Sequence, residues 1–222
     1  MKILALESSS PQRSVAVIDE SPGAKWKVQS EVIETAARGA NAIEQIDAAL
    51  RQAQVEREQI EIIAVGLGPG SYNGIRMAIA IAQGWQLAGE GRGIKLLGLS
   101  SAECVAAVAS EAGIEGSVAV IIDAQRGEVY TAGYELASED WREVKPLRLS
   151  SLEPLKECAA RGRHLIGPEV TKWFPTGRVI FPRAATLGRL ALGRRDFVLG
   201  EKLEPIYLRE ANFVKAPQPR IL

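Results

Sequence analysis

The chain passes twice through one order of elements, and this constrains its fold more than any other feature. Each pass reads as a strand hairpin, a third strand, and then helices that alternate with single strands. In the first pass, Lys2-Ile3-Leu4-Ala5-Leu6-Glu7 is a buried strand, broken by the turn chemistry of Ser8-Ser9-Ser10-Pro11. Ser14–Ile18 is the second strand, and Pro22-Gly23 is a turn. Lys25–Ile33 is the third strand, with Trp26, Val28 and Ser30 on one face. A helix from Glu34 to Gln54 is predicted by the helical spacing of Ile43, Ile46 and Leu50, with Asp47 and Arg51 outside. Gly39 weakens its first half by about 1 kcal/mol relative to Ala. Ile60–Leu67 lacks alternation, as fully buried strands do. A helix over 72–88, a strand over 95–99 and a helix to Ala112 follow, the last opened by the capping box Ser100-Ser101-Ala102-Glu103.

The second pass starts at Ser117–Asp123, turns at Gln125-Arg126-Gly127, and returns through Glu128–Glu135 and Trp141–Leu149. A helix follows over 151–160 with Ser151 as its cap, then the strand end Leu165-Ile166-Gly167 and a helix over 184–192. The two passes share element order but no detectable sequence repeat. The reading is an α/β protein with mixed sheets covered by helices, divided near Leu99–Ser101 into domains 1–100 and 101–222. Lys215–Leu222, with Pro217 and Pro219, is expected to be an extended tail.

Composition narrows the chemistry. The 222 residues carry 27 Lys plus Arg against 27 Asp plus Glu, so a wholly basic nucleic-acid-binding surface is excluded, though a local basic patch is not. Aromatics make up 5% of the chain, too few for an extended base-stacking platform. The N-terminal apolar run ends at Glu7 and does not read as a signal peptide. No segment approaches the roughly 20 apolar residues of a membrane span. Cys104 and Cys158 are lone thiols without a Cys-x-x-Cys motif, which fits a reducing cytoplasm and small buried side chains on helices. His164 is the single histidine, expected at the surface start of a strand. No histidine-rich zinc site can form, and no Gly-x-Ser-x-Gly elbow accompanies it. No metal site is expected.

Three features carry candidate function. In Gly66-Leu67-Gly68-Pro69-Gly70-Ser71-Tyr72-Asn73-Gly74-Ile75-Arg76, a strand ends, glycines crowd a turn and a helix begins. Free N–H groups there can hold an anion. The segment has neither the Walker ending nor the third glycine of a dinucleotide fingerprint, and locally a tight turn with Ser71 capping and Arg76 solvated explains it as well. The following helix repeats Gly74, Ala78 and Ala82 at i, i+4, a small-residue face on which a partner helix can lie. Ile75, Ile79 and Leu87 are expected to face the sheet. Glu7 and Asp123 end the first strands of the two passes. They are either carboxylates facing across a cleft, as in metal-bound phosphate sites, or turn-forming acids.

The start Ile3–Ser9, the Gly68–Arg76 turn, the Ile122–Tyr130 hairpin and Pro205-Ile206-Tyr207-Leu208-Arg209 together resemble the bacterial TsaB (YeaZ) family, in order over nearly the whole chain. The resemblance implies an actin-like (ASKHA) fold of two RNase H-like domains with mixed sheets flanked by helices. It implies a non-catalytic, scaffolding role in forming threonylcarbamoyladenosine beside the anticodon of tRNAs that read A-starting codons. Implied partners are the catalytic paralogue TsaD and the ATPase TsaE, with a homodimer when alone and tRNA reached through the complex. The implied interface uses the first two helices, placed here at Ile43, Ile46, Leu50, Gly74, Ala78, Ala82 and Trp85. The implied nucleotide or anion cleft falls on Glu7, Ser8, Gly68, Gly70, Ser71 and Asp123. No cofactor of this chain's own is implied, ATP and magnesium belonging to the complex.

Departures from the family pattern sharpen this. Ala37–Ile43 has no histidine where TsaD-like enzymes carry a His-x-x-x-His metal pair. Glu7 stands where Asp is commoner, and Asn73 replaces a usual Thr. Two other functions compete: a small ATP-dependent kinase or ATPase of the same fold, and a self-associating homologue with an unrelated partner.

Overall fold

The computed structural model describes residues 1–20, 26–35, 41–89, 93–138 and 140–209. The turn at Pro22-Gly23, the weakening at Gly39 and the extended tail fall outside them. The first sheet holds β1 (Lys2–Glu7), β2 (Gln12–Asp19), β3 (Lys27–Thr35), β4 (Ile62–Gly66) and β5 (Lys95–Leu99) in the order β3-β2-β1-β4-β5. The first three form an antiparallel meander, and β4 and β5 lie parallel to β1. The second sheet holds β6 (Gly116–Asp123), β7 (Val129–Ala137), β8 (Asp140–Ser150), β9 (His164–Gly167) and β10 (Arg178–Val179) in the order β10-β9-β6-β7-β8. Counted within each half, both sheets read 3-2-1-4-5, so the repeated element order of the sequence is a repeated topology.

Helices α1 (Ala42–Ala53) and α2 (Tyr72–Ala88) cover one face of the first sheet. α3 (Ser101–Glu111) lies between the sheets. Its Cys104 and Ala107 join the core of the first sheet, while Ala102, Val105, Ala106 and Ala109 join that of the second. Its alanines allow two sheets to approach one helix closely. α4 (Glu153–Ala160) packs on the far face of the second sheet through Leu155. No helix among the described residues is long and apolar enough to cross a membrane.

Several boundaries move. The expected helix over 34–54 begins only at Ala42, because Val32–Thr35 continue the β2 ladder as far as Gln12↔Thr35, and Asn41 caps the helix by accepting from Ile43 N at 3.1 Å. Trp26 lies outside β3 and is exposed. Ser151 does not cap α4; Leu152 occupies that place without a side-chain bond. The division into 1–100 and 101–222 separates the two sheets but not the packing. α5 (Ala184–Ala191) returns to the first sheet, where Leu187 is fully buried, and Val198 bridges Leu96. Glu31 of β3 holds this return by pairing with Arg183 and accepting from Ala185 N. Cys104 is buried and Cys158 half-buried, both on helices, and His164 opens β9 at the surface.

Candidate functional site

A cavity of about 620 Å³ opens where the β1–β2 turn, the start of α2, the β6–β7 turn and the 205–209 segment meet. Its floor is built from the glycine-rich turn. The backbone groups there are largely spent on the protein itself: Ser71 N donates to Ser9 O at 2.7 Å, Gly68 N to Ser101 Oγ at 3.2 Å, and Gly74 N to Ser71 Oγ at 3.3 Å. The glycines are there for close approach. A Cβ on Gly70, whose φ is +146°, would sit 2.1 Å from Ser9 O, and one on Gly74 would sit 2.0 Å from Ser8 O. The turn is therefore clamped on the β1–β2 turn, and Ser71 is the cap that local reasoning predicts.

Of the six residues expected in the cleft, Gly70, Ser71 and Asp123 line the cavity; Glu7, Ser8 and Gly68 lie behind its wall. Glu7 is wholly buried, accepting from Ser9 N at 2.7 Å and from Ser101 Oγ at 2.9 Å. Burial raises its carboxyl above the ordinary range, and these hydrogen bonds pull it back in part. Gly66 must lack a side chain because a Cβ would meet Glu7 Oε2 at 2.1 Å. Glu7 is a structural acid that ties β1 to α3, and of the two readings the turn-forming acid, not the carboxylate facing Asp123 across a cleft, is the one its hydrogen bonds match.

Asp123 accepts from Gln125 N and from Lys172 Nζ, both at 2.7 Å. Beside it, Glu169 lines the cavity with its carboxyl raised, first by burial and then by the Asp123 charge. Arg13 and Arg126 also line the cavity, with Arg126 in a left-handed conformation, φ 58°. The 205–209 segment closes one side. Ile206 N donates to Leu67 O at 2.9 Å, Arg209 donates to Glu128 at 2.7 Å and to Ala124 O at 3.0 Å, and the Tyr207 ring meets Tyr72 at 6.0 Å. Arg76 is not simply solvated: it donates to Tyr72 OH at 2.9 Å. The lining offers cations, hydroxyls and tyrosines. Among the described residues no His/Cys/Asp/Glu cluster could hold a metal ion. Lys172 is 49 residues from Asp123, and nothing in the sequence marked the pair.

The expected partner interface is also redrawn. Ile46, Leu50, Gly74, Ala78, Ala82 and Trp85 are all buried within the chain, and Arg57 closes over the Trp85 ring at 4.8 Å. The physical reason is helical geometry. At 3.6 residues per turn, Gly74, Ala78 and Ala82 adjoin Ile75 and Ile79, so the small line and the branched line are one inward face. Outward lie Tyr72, Arg76, Ala80, Gly84 and Leu87, the last 75% exposed rather than packed on the sheet. On α1 only Ile43, of the three apolar residues named, is exposed.

The family model for TsaD, tRNA N6-adenosine threonylcarbamoyltransferase, matches residues 34–206. The tRNA threonylcarbamoyladenosine biosynthesis protein TsaB of Haemophilus influenzae is 29% identical over 237 residues, covering 98% of both chains. TsaB of Bacillus subtilis is 28% identical over 165 residues, covering 71% of this chain and 67% of that protein. The solved structure of YeaZ from Pseudomonas aeruginosa has the same fold, with a TM-score of 0.76 at 24% identity over 93% of this chain and 99% of that one.

Proposed function

This chain belongs to the TsaB (YeaZ) family, and from that premise we propose that it serves tRNA threonylcarbamoyladenosine synthesis as a non-catalytic subunit that binds TsaD. The twofold 3-2-1-4-5 sheet order supports the actin-like reading with two RNase H-like halves. The observation that carries the accessory role is the outer face of α2. Tyr72 is 56% exposed and Leu87 75%, with Ala80 and Gly84 between them leaving a shallow, close-approach surface. Ile43 of α1, which covers the same sheet face, is a second exposed apolar residue on this side of the chain. TsaD occupies this surface in the complex with TsaE, and a second copy occupies it when the chain is alone. The cytoplasm is the compartment where this tRNA chemistry takes place.

The test is association. Mixed with its cognate TsaD, the wild type co-elutes as a heterodimer on gel filtration. Leu87→Glu combined with Ala80→Arg weakens the complex by at least roughly tenfold, as loss of a central apolar anchor does, with its melting temperature unchanged. An undisturbed complex in that variant, or no complex for the wild type with TsaE and ATP present, would sink the reading. Ala78 and Ala82 are unsuited to this test, because charges there would enter the core.

The ATPase alternative draws on one observation, the cavity with Arg13, Arg126 and Tyr72 in its lining. Its acids are poorly placed for magnesium: Glu7 is internal, Asp123 is occupied by Lys172, and burial raises the Glu169 carboxyl toward its neutral form. Calorimetric titration with Mg–ATP is expected to give no heat of binding; a saturable signal would revive the alternative.

A further inference from the structure

The outer face of the second sheet is only partly covered. α4 has eight residues and seals the area over β6 and β9, where Leu155 joins Ala119, Ile121 and Leu165 in a core. Over β7 and β8 a groove remains. Thr131 and Gly133 form its floor, and Cys158 stands at its α4 wall. Gly133 leaves room for the stem of Lys145, whose Cβ lies 3.1 Å from where a Cβ on Gly133 would be.

Four cations line this groove and its continuation: Lys145 and Arg148 from β8, and Arg161 and Arg163 from the turn after α4. Lys145, Arg148 and Arg161 are exposed, and Arg163 is half-buried. No Asp or Glu is among the lining residues. Glu157 pairs with Arg161 at 3.7 Å, but the pair is exposed on both sides and therefore weak. Arg163 Nε donates to Ser117 Oγ at 2.8 Å, a neutral partner that orients the guanidinium without cancelling its charge. In a chain with 27 cationic and 27 anionic side chains, this is a local concentration of one sign.

We propose that this groove contacts the phosphate backbone of tRNA directly; the proposal rests on the reading of the chain as a subunit serving tRNA modification. The two parts of the groove are small, about 20 and 230 Å³, so a polyanion lies across its rim, where cations from β8 and from the turn after α4 stand exposed, and guanidinium forks match phosphate geometry. No aromatic side chain lines it, so the contacts are to backbone rather than stacked bases and carry no sequence preference. The groove lies on the second half and the α2 face on the first, so one chain holds tRNA and TsaD together.

Fluorescence anisotropy of a labelled, unmodified tRNA transcript with the full chain tests this. The expected result is binding that weakens with salt, with a log–log slope of about 3 for four phosphate contacts. Lys145→Glu with Arg148→Glu weakens binding at least roughly tenfold and lowers the slope by about 2, without changing the melting temperature. Arg51→Glu, a single reversal of charge on exposed α1, leaves binding as it was. The proposal is overturned if the groove variant binds like the wild type, if Arg51→Glu loses as much, or if the wild type shows no binding at low salt. It is also overturned if poly-L-glutamate competes as well as unlabelled transcript, which would assign the groove to an acidic protein. The groove variant still co-elutes with TsaD. If instead the wild type fails to co-elute, the accessory reading fails and the transcript titration still decides the groove.

Discussion

Glu7→Ala is expected to destabilise the chain by about 3–5 kcal/mol, measured by chemical denaturation at neutral pH. Ser9 N–H and the Ser101 hydroxyl would lose their acceptor in a site with no access to water, at about 1–3 kcal/mol each. The truncation also leaves a cavity beneath the start of α3. Glu7→Gln separates charge from connectivity. Its Oε1 can still accept from Ser9 N, and its amide can donate to Ser101 Oγ. Because burial raises the Glu7 pKa from its usual 4.5, the part of its contribution that depends on protonation is complete below that value and lost as pH rises through the folded pKa, while the accepted hydrogen bonds remain. The melting temperature of the wild type therefore falls relative to that of Glu7→Gln as pH is raised from about 4.5. Parallel curves for the two proteins across that range would show that Glu7 does not titrate as a buried acid.

Gly74→Ala is expected to cost about 3 kcal/mol, the upper end of what overpacking costs, and to lower the melting temperature of this 222-residue chain by roughly 6–12 °C. The new methyl would sit 2.0 Å from Ser8 O, a backbone atom of the buried residue that follows β1, so α2 or the β1–β2 turn must move. Gly84→Ala on the same helix meets nothing within 4 Å and should stabilise by about 0.5–1 kcal/mol through helix propensity. Opposite signs for two identical substitutions ten residues apart, read in one differential scanning calorimetry series, are the signature of an inward and an outward face. Equal effects would mean that Gly74 is a propensity site only.

Much was legible in the chain before any fold was seen. Hydrophobic periodicity and turn residues are local, so β5 at 95–99 and α2 at 72–88 lie where spacing put them, and the doubled element order became a doubled sheet topology. Capping is local too: Ser71 and Ser100 cap the helices they precede. What only the tertiary structure decided was which face of each element is spent internally. Glu7 is an acid at a strand end, and its role was set by Ser101, 94 residues away. Asp123 was occupied by Lys172 from a segment with no motif. Gly74, Ala78 and Ala82 read as a surface for a partner, yet the sheet beneath α2 takes that face and leaves Leu87 outside. α5 lies late in the chain but packs on the first sheet, where Glu31 holds its start. Local pattern determines that a face is apolar or small. Only the competition among all such faces for a limited buried volume determines which are left for another molecule.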